Sequence, residues 1–322
     1  MRENFRTVFM HAYISRATVL VALLFFCAGC STTRVERINA YKEFIFNEGD
    51  AQANKTRKLM LIGDSWASFM TANHTFDQLL QDFGYDDLYC GSTALPGSKA
   101  RQWASRSGLA SLRGVLRKRP ETKILLLTIG GNDFLELYHT RHSPAAREQK
   151  WNTVAGHVRT ILKAIAEERP DMRVLIIGYT YLNLTDSLGG PNAGGNRSYF
   201  RRLGSPTPEQ FNTALVELGA KIRGVAGEFE RVEYAHNFGL LQYVYGLPKY
   251  DIAPESLPYP GTVASNYLPF PGGDITREGP AEGMFRVPLV FLDSIHLSGE
   301  AYYYVGKNAM LQFIAPWLKE IN

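Results

Sequence analysis

Three residues that together could open an ester stand far apart in this chain of 322 residues. Ser65 closes the stretch Leu59-Met60-Leu61-Ile62-Gly63-Asp64-Ser65, where an apolar strand-like run gives way to helical periodicity. A serine on such a turn exposes its hydroxyl with backbone N–H groups aimed at it, but it is a weak nucleophile until a base takes its proton. His296, in Asp293-Ser294-Ile295-His296, is the candidate base. Asp293, three residues earlier, is close enough in a tight turn to accept the Nδ1 proton and fix the tautomer. Acyl transfer also needs donors for a developing oxyanion. The candidates are the N–H of Ser65, the N–H of Gly97 in Ala94-Leu95-Pro96-Gly97-Ser98, and the side-chain amide of Asn132 in Gly130-Gly131-Asn132-Asp133. Gly91 lies in the same loop as Gly97; Gly97 is preferred because it closely precedes a helix expected from Lys99.

The elements that must position these groups follow from periodicity. Strands are expected over Lys58–Ile62, Asp87–Cys90, Lys123–Ile129, Arg173–Tyr179 and Arg231–Ala235, the third and fourth being apolar enough for burial on both faces. Helices are expected over Ser65–Phe83, Lys99–Arg119, Ala145–Glu168, Thr207–Glu228 and Ser298–Leu318. Thr207 and Ser298 suit N-caps, with Pro208 and Glu300 in the first turns. This alternation predicts an α/β fold, a parallel sheet covered on both faces, with ligands bound beyond the carboxyl ends of the strands. Ser65, Asn132 and Tyr179 all fall at that edge. Residues 180–206 and 247–287 break the rhythm, and long irregular stretches of this kind tend to be lids or binding loops.

Gly63-Asp64-Ser65, then Gly97, then Gly131-Asn132-Asp133, then Asp293-x-x-His296 resemble, in order, the four motif blocks of the SGNH (GDSL) hydrolases, across about residues 58–316. The resemblance implies a flavodoxin-like three-layer α/β/α sandwich with a central parallel sheet, and ester hydrolysis without a cofactor. It implies Ser65 as nucleophile, His296 as general base and acid, Asp293 as its orienting partner, and Ser65, Gly97 and Asn132 as the oxyanion hole. Trp66 stands where the family's older name has leucine; it is expected to pack into the helix start without touching the mechanism. The fainter echo of a nucleophile elbow, Gly63-x-Ser65-x-Ala67, is set aside because nothing precedes the first strand to build that fold's sheet. Two other readings use the same chain: a catalytically silent binding lipoprotein, and an acyltransferase that moves the acyl group to a sugar or lipid.

Other reactive residues point less far. Asp64 and Asp133 are expected to serve turn hydrogen bonds, and His74 a solvated helix face. Glu136, His139 and His142 lack the further ligand a metal centre would need, so no metal is expected. The 247–287 aromatics Tyr250, Tyr259, Tyr267, Phe270 and Phe285 suit either sugar stacking or packing under a long loop, the latter preferred.

The N-terminus resembles a bacterial lipoprotein signal. Arg2, Arg6 and Arg16 precede a 13-residue apolar stretch, Ala17–Gly29, which is short for a membrane span and ends in Cys27-Ala28-Gly29-Cys30. The resemblance implies cleavage before Cys30 and its lipidation, despite Cys27 where leucine is usual. Ser31 then implies the outer membrane of the bacterial envelope, facing the periplasm. Residues 1–29 would be the signal, 30–57 a tether with a short helix, and 58–322 the hydrolase domain. The full chain carries a net charge of +4; loss of three Arg and one Glu with the signal leaves +2. No basic run interleaved with aromatics suggests nucleic acid. Only Cys90 would remain as a free thiol, and it is expected to be a small core residue.

Overall fold

The computed structural model describes residues 55–188, 194–261, 271–287 and 291–321. The signal, Cys30 and the tether up to residue 54, with Tyr267 and Phe270, lie outside the described residues; Thr56 and Arg57, counted to the tether, open the first strand. Five parallel strands, β1 (Thr56–Gly63), β2 (Leu88–Ser92), β3 (Ile124–Thr128), β4 (Arg173–Ile177) and β5 (Val232–Ala235), lie in the order β2-β1-β3-β4-β5. Every residue of β3 is buried, as its unbroken apolar run requires. The helices are α1 (Ser65–Ala72), α2 (Thr75–Asp82), α3 (Ala100–Trp103), α4 (Arg106–Arg117), α5 (Gly131–Leu137), α6 (Pro144–Glu168), α7 (Gly194–Arg202), α8 (Pro208–Ala226), α9 (Leu240–Tyr245), α10 (Gly299–Ala309) and α11 (Ala315–Ile321). Helices α4, α6 and α8 pack side by side in one layer, and α1, α2 and α10 in another. The fold is therefore the expected α/β/α sandwich with a central parallel sheet.

Helix α6 buries Trp151, Val154, Val158, Ile161, Leu162 and Ile165, the spacing of one helical face. Thr207 caps α8 in a reciprocal box with Gln210, and Ser298 caps α10 through the Ala301 N–H at 3.1 Å. Two expected helices are broken. His74, with φ 51°, separates α1 from α2, and Ser105 caps a fresh start at α4. The closing helix passes through a π-helical turn at Met310–Ile314.

The segments expected to be irregular are partly built. Thr180–Leu184 is buried, and α7 and α9 occupy stretches that carried no helix expectation. The Gln242 amide donates to the carbonyls of Asp274, Arg277 and Glu278, and the Asn212 amide to those of Ile275 and Arg277. Lys249 pairs with Asp186 at 3.0 Å and with buried Glu278 at 2.8 Å. Side-chain amides thus satisfy carbonyls that irregular backbone would otherwise leave buried and unpaired. Tyr250 lies under Arg277, Tyr259 donates to Asn308 at 2.9 Å, and Phe285 meets Phe69 edge-on, so these three loop aromatics pack against the protein.

Candidate active site

Strands β1 and β3 are neighbours, while the chain visits β2 between them on the outer side. Such a reversal opens a crevice at the carboxyl edge of the sheet. Gly63 is the last rung of β1, paired with Thr128. Its φ is 134°, and a Cβ there would sit 1.8 Å from the Thr128 carbonyl oxygen, so only glycine allows the strands to approach and the chain to turn. Asp64 follows as the N-cap of α1, accepting the Trp66 N–H at 3.0 Å. Ser65 is thereby placed, half-buried, on the first residue of the helix.

Asp293 and His296 arrive on a second, two-stranded antiparallel sheet of β6 (Met284–Val287) and β7 (Phe291–Leu297). The expected tight turn is instead a bulge within β7. Arg286 pairs with Leu292 and Met284 with Leu297, so the four residues Asp293 to His296 face the single residue Phe285. This excess bends the strand and lets two side chains three residues apart meet. Asp293 Oδ1 accepts the N–H groups of Ile295 (2.6 Å) and His296 (3.0 Å), and Oδ2 lies 2.7 Å from His296 Nδ1. His296 Nε2 lies 2.8 Å from Ser65 Oγ. Burial pushes the Asp293 carboxyl up, but the facing imidazole and the N–H donors outweigh it and hold Asp293 below the ordinary carboxylate range. A charged Asp293 in turn demands the Nδ1–H tautomer and leaves Nε2 free to take a proton.

Gly97 sits in a turn closed by the Ser98 N–H to the Leu95 carbonyl at 3.0 Å, with Pro96 and Gly97 at the centre and a Gly97 φ of 73°. The turn is pinned to the end of β1: the Leu95 N–H and the Ser98 hydroxyl both donate to the Gly63 carbonyl, at 2.8 and 3.2 Å. Gly91, by contrast, lies inside β2 with the Arg57 side chain against it. Asn132 Nδ2 donates to the Ser98 carbonyl at 3.0 Å. That bond uses one amide hydrogen and leaves the second for another acceptor. Asp133, expected to serve turn hydrogen bonds, accepts the Ala100 N–H at 2.7 Å, which ties α5 to α3, and the backbone N–H groups of Arg101 and of Asp133 itself also donate to it.

Trp66 does more than pack into the helix start, where it was expected. Its indole is buried and donates to the Ile295 carbonyl at 3.1 Å, joining the serine helix to the residue before His296. Phe69 stacks on the imidazole with centroids 4.4 Å apart. Neither contact has a local sequence signal, because the partners lie on β7. Of the other candidate group, Glu136 pairs with Lys99 and Arg101, His139 Nδ1 accepts the Arg141 N–H, and the His139 and His142 rings meet edge-on with centroids 6.0 Å apart.

The model of the family described as GDSL-like Lipase/Acylhydrolase matches residues 46–309. The chain belongs to this family. No curated protein matches the sequence. Among solved structures, the GDSL-like chain is similar to the lipase Lip_vut3 from a goat rumen metagenome, with 10% identity over 80% of this chain and 98% of that one, and a TM-score of 0.47. It is also similar to Est24, a carbohydrate acetylesterase from Sinorhizobium meliloti (15% identity, 81% and 99% covered, TM-score 0.41). A third is the periplasmic domain of a lipopolysaccharide acetyltransferase from Salmonella ser. Paratyphi A (15%, 88% and 98%, 0.45).

Proposed function

We propose that this GDSL-family chain is a serine esterase that cleaves carboxylic esters through an acyl-Ser65 intermediate. The observation that carries the reading is the continuous line from Asp293 through His296 to Ser65 Oγ, with links of 2.7 and 2.8 Å. Ser65 Oγ adds to the ester carbonyl as its proton passes to His296 Nε2. Asp293 holds the imidazolium by Nδ1. The N–H groups of Ser65 and Gly97 and the free amide hydrogen of Asn132 receive the oxyanion. The C–O bond to the leaving alcohol breaks as Nε2 returns the proton to it. Water then repeats the sequence on the acyl group, releasing the acid and restoring Ser65.

The substrate class is an acylated saccharide or a lipid ester, met in the bacterial envelope. The apolar wall of Phe69 and Phe285 beside His296 suits an acyl or ring-shaped group. The motif ending at Cys30 supports lipid anchoring and a periplasm-facing outer-membrane position.

Hydrolysis of short- and long-chain p-nitrophenyl esters by the detergent-solubilised full chain tests this reading. Ser65→Ala should lower kcat on the order of 10⁴-fold or more while circular dichroism stays unchanged. No turnover and no labelling of Ser65 by a fluorophosphonate would overturn the reading in favour of a silent binding protein. Formation of a new ester when an alcohol acceptor is added would identify an acyltransferase.

A further inference from the structure

The turns that carry Ser65 and Asn132 both lie beyond the last rung of the β1–β3 ladder. One backbone bond, from the Asp64 N–H to the Thr128 carbonyl at 3.0 Å, continues the pairing. What spans the remaining gap is a phenol from a third strand end. Tyr179, two residues past β4, is buried, and its ring meets Trp66 edge-on at 4.9 Å. Its hydroxyl donates to Asp64 Oδ2 at 2.5 Å and accepts the Gly131 N–H at 2.9 Å. Asp64 caps the helix that begins at Ser65; Gly131 immediately precedes Asn132. One oxygen therefore joins the serine turn to the asparagine turn.

The fit is specific on both sides. A Cβ on Gly131 would lie 2.7 Å from Tyr179 Cζ and 2.8 Å from its hydroxyl, so position 131 has no side chain because the phenol occupies that space. On the other side, Asp64 Oδ1 accepts the Trp66 N–H and the Thr128 hydroxyl, and Thr128 Oγ1 accepts the Ala67 N–H. The Asp64 carboxylate is thus anchored through Oδ1, and Tyr179 reaches Gly131 from Oδ2. Burial, with the Asp64 charge beside it, pushes the Tyr179 hydroxyl well above its ordinary pKa, so it keeps the proton it donates.

We infer that Tyr179 is a positioning residue for ester cleavage, fixing the Asn132 amide relative to Ser65 by holding Asp64 and Gly131 on one hydroxyl. The inference rests on the esterase reading. Oxyanion donors help only where they already sit at the place the charge forms, so a small drift between the two turns lowers the chemical step more than substrate binding.

Tyr179→Phe keeps the ring and removes only the oxygen. In the full chain, kcat should fall about 30-fold with KM within about threefold, and the Gly131 amide should exchange hydrogen at least tenfold faster. Gly131→Ala, which displaces the phenol from the other side, should give the same kcat–KM split and serves if Tyr179→Phe does not fold. A purely structural tyrosine would lower Tm and leave kcat in place; that result, or unchanged Gly131 exchange in Tyr179→Phe, overturns the inference. A wild-type chain without turnover overturns the esterase reading instead, and the exchange measurement, which needs no substrate, separates the two.

Discussion

Two buried carboxylates flank Ser65 in opposite electrostatic conditions. Asp293 faces an imidazole and stays charged at low cost. Asp64 faces hydroxyls and an amide, and burial pushes it up to about 6 even though Tyr179, Trp66 and Thr128 donate to it; His296 also favours its charge, and Tyr302 lies within its field. Between about pH 4 and about 6 the folded chain therefore binds a proton at Asp64 that the unfolded chain has released. Stability from this group must fall as pH rises through that window and level off above it, by on the order of 3 kcal/mol. Chemical denaturation of the wild type and Asp64→Asn across pH 4–7 checks this. The wild type should lose stability relative to the variant as pH rises, and a constant difference would show that Asp64 does not ionise there. The arrangement trades stability at neutral pH for three donors held on one carboxylate beside the proposed nucleophile. At this scale the candidate site was legible: Ser65, Asn132, Asp293 and His296 stand in motifs of a few residues. The partners of Asp64 were not, since Thr128 and Tyr179 follow it by 64 and 115 residues.

Among elements, the β6–β7 pair has the most demanding task. It carries Asp293 and His296, yet a two-stranded ribbon is marginal by itself. It is held to the main sheet's helices by the Trp66 indole on Ile295, by Phe69 on His296, and by the Ser298 N–H on the Gly283 carbonyl at 2.9 Å. Trp66→Phe keeps an aromatic ring between Tyr179 and Tyr302 but removes the only side-chain donor the residue has. The expected result is about 1 kcal/mol of lost stability and about a tenfold fall in kcat, measured by denaturation and ester hydrolysis. Unchanged kcat would show that the bulge holds His296 without the tether. The sheet strands were readable because buried parallel strands announce themselves as apolar runs. The helix break at His74 was not, because a left-handed histidine leaves no glycine or proline to mark it. Helix α5 was hidden for another reason: its first turn is the Gly-Asn-Asp motif itself, too short to show a period. The β7 bulge depends on pairing with β6, and register is not a property of one segment.

At the scale of the whole molecule, Asn54–Asn322 forms a compact unit with its own core, whose site opens at the carboxyl edge of its sheet. The Asp293–His296–Ser65 line lies within this unit and Cys30 precedes it, so the chemistry and the location proposed for this chain can be separated by experiment. The proposed lipid anchor at Cys30 makes that separation testable. A single acyl chain holds a protein only marginally at a bilayer, whereas two or more anchor it stably, because each buried CH₂ contributes about 0.8 kcal/mol. Removing the modified thiol should therefore change where the protein is found almost completely and its turnover of a soluble ester very little. Cys30→Ala, expressed in a Gram-negative host, should leave the membrane fraction and lose the mass of the attached lipid, with kcat on a short p-nitrophenyl ester within about twofold of wild type. Hydrolysis of esters embedded in vesicles should fall much further, since the anchor supplies the local concentration at the surface that the soluble domain lacks. Retention of the variant in the membrane at unchanged mass would overturn lipidation at Cys30 and assign the attachment to the uncleaved apolar stretch Ala17–Gly29.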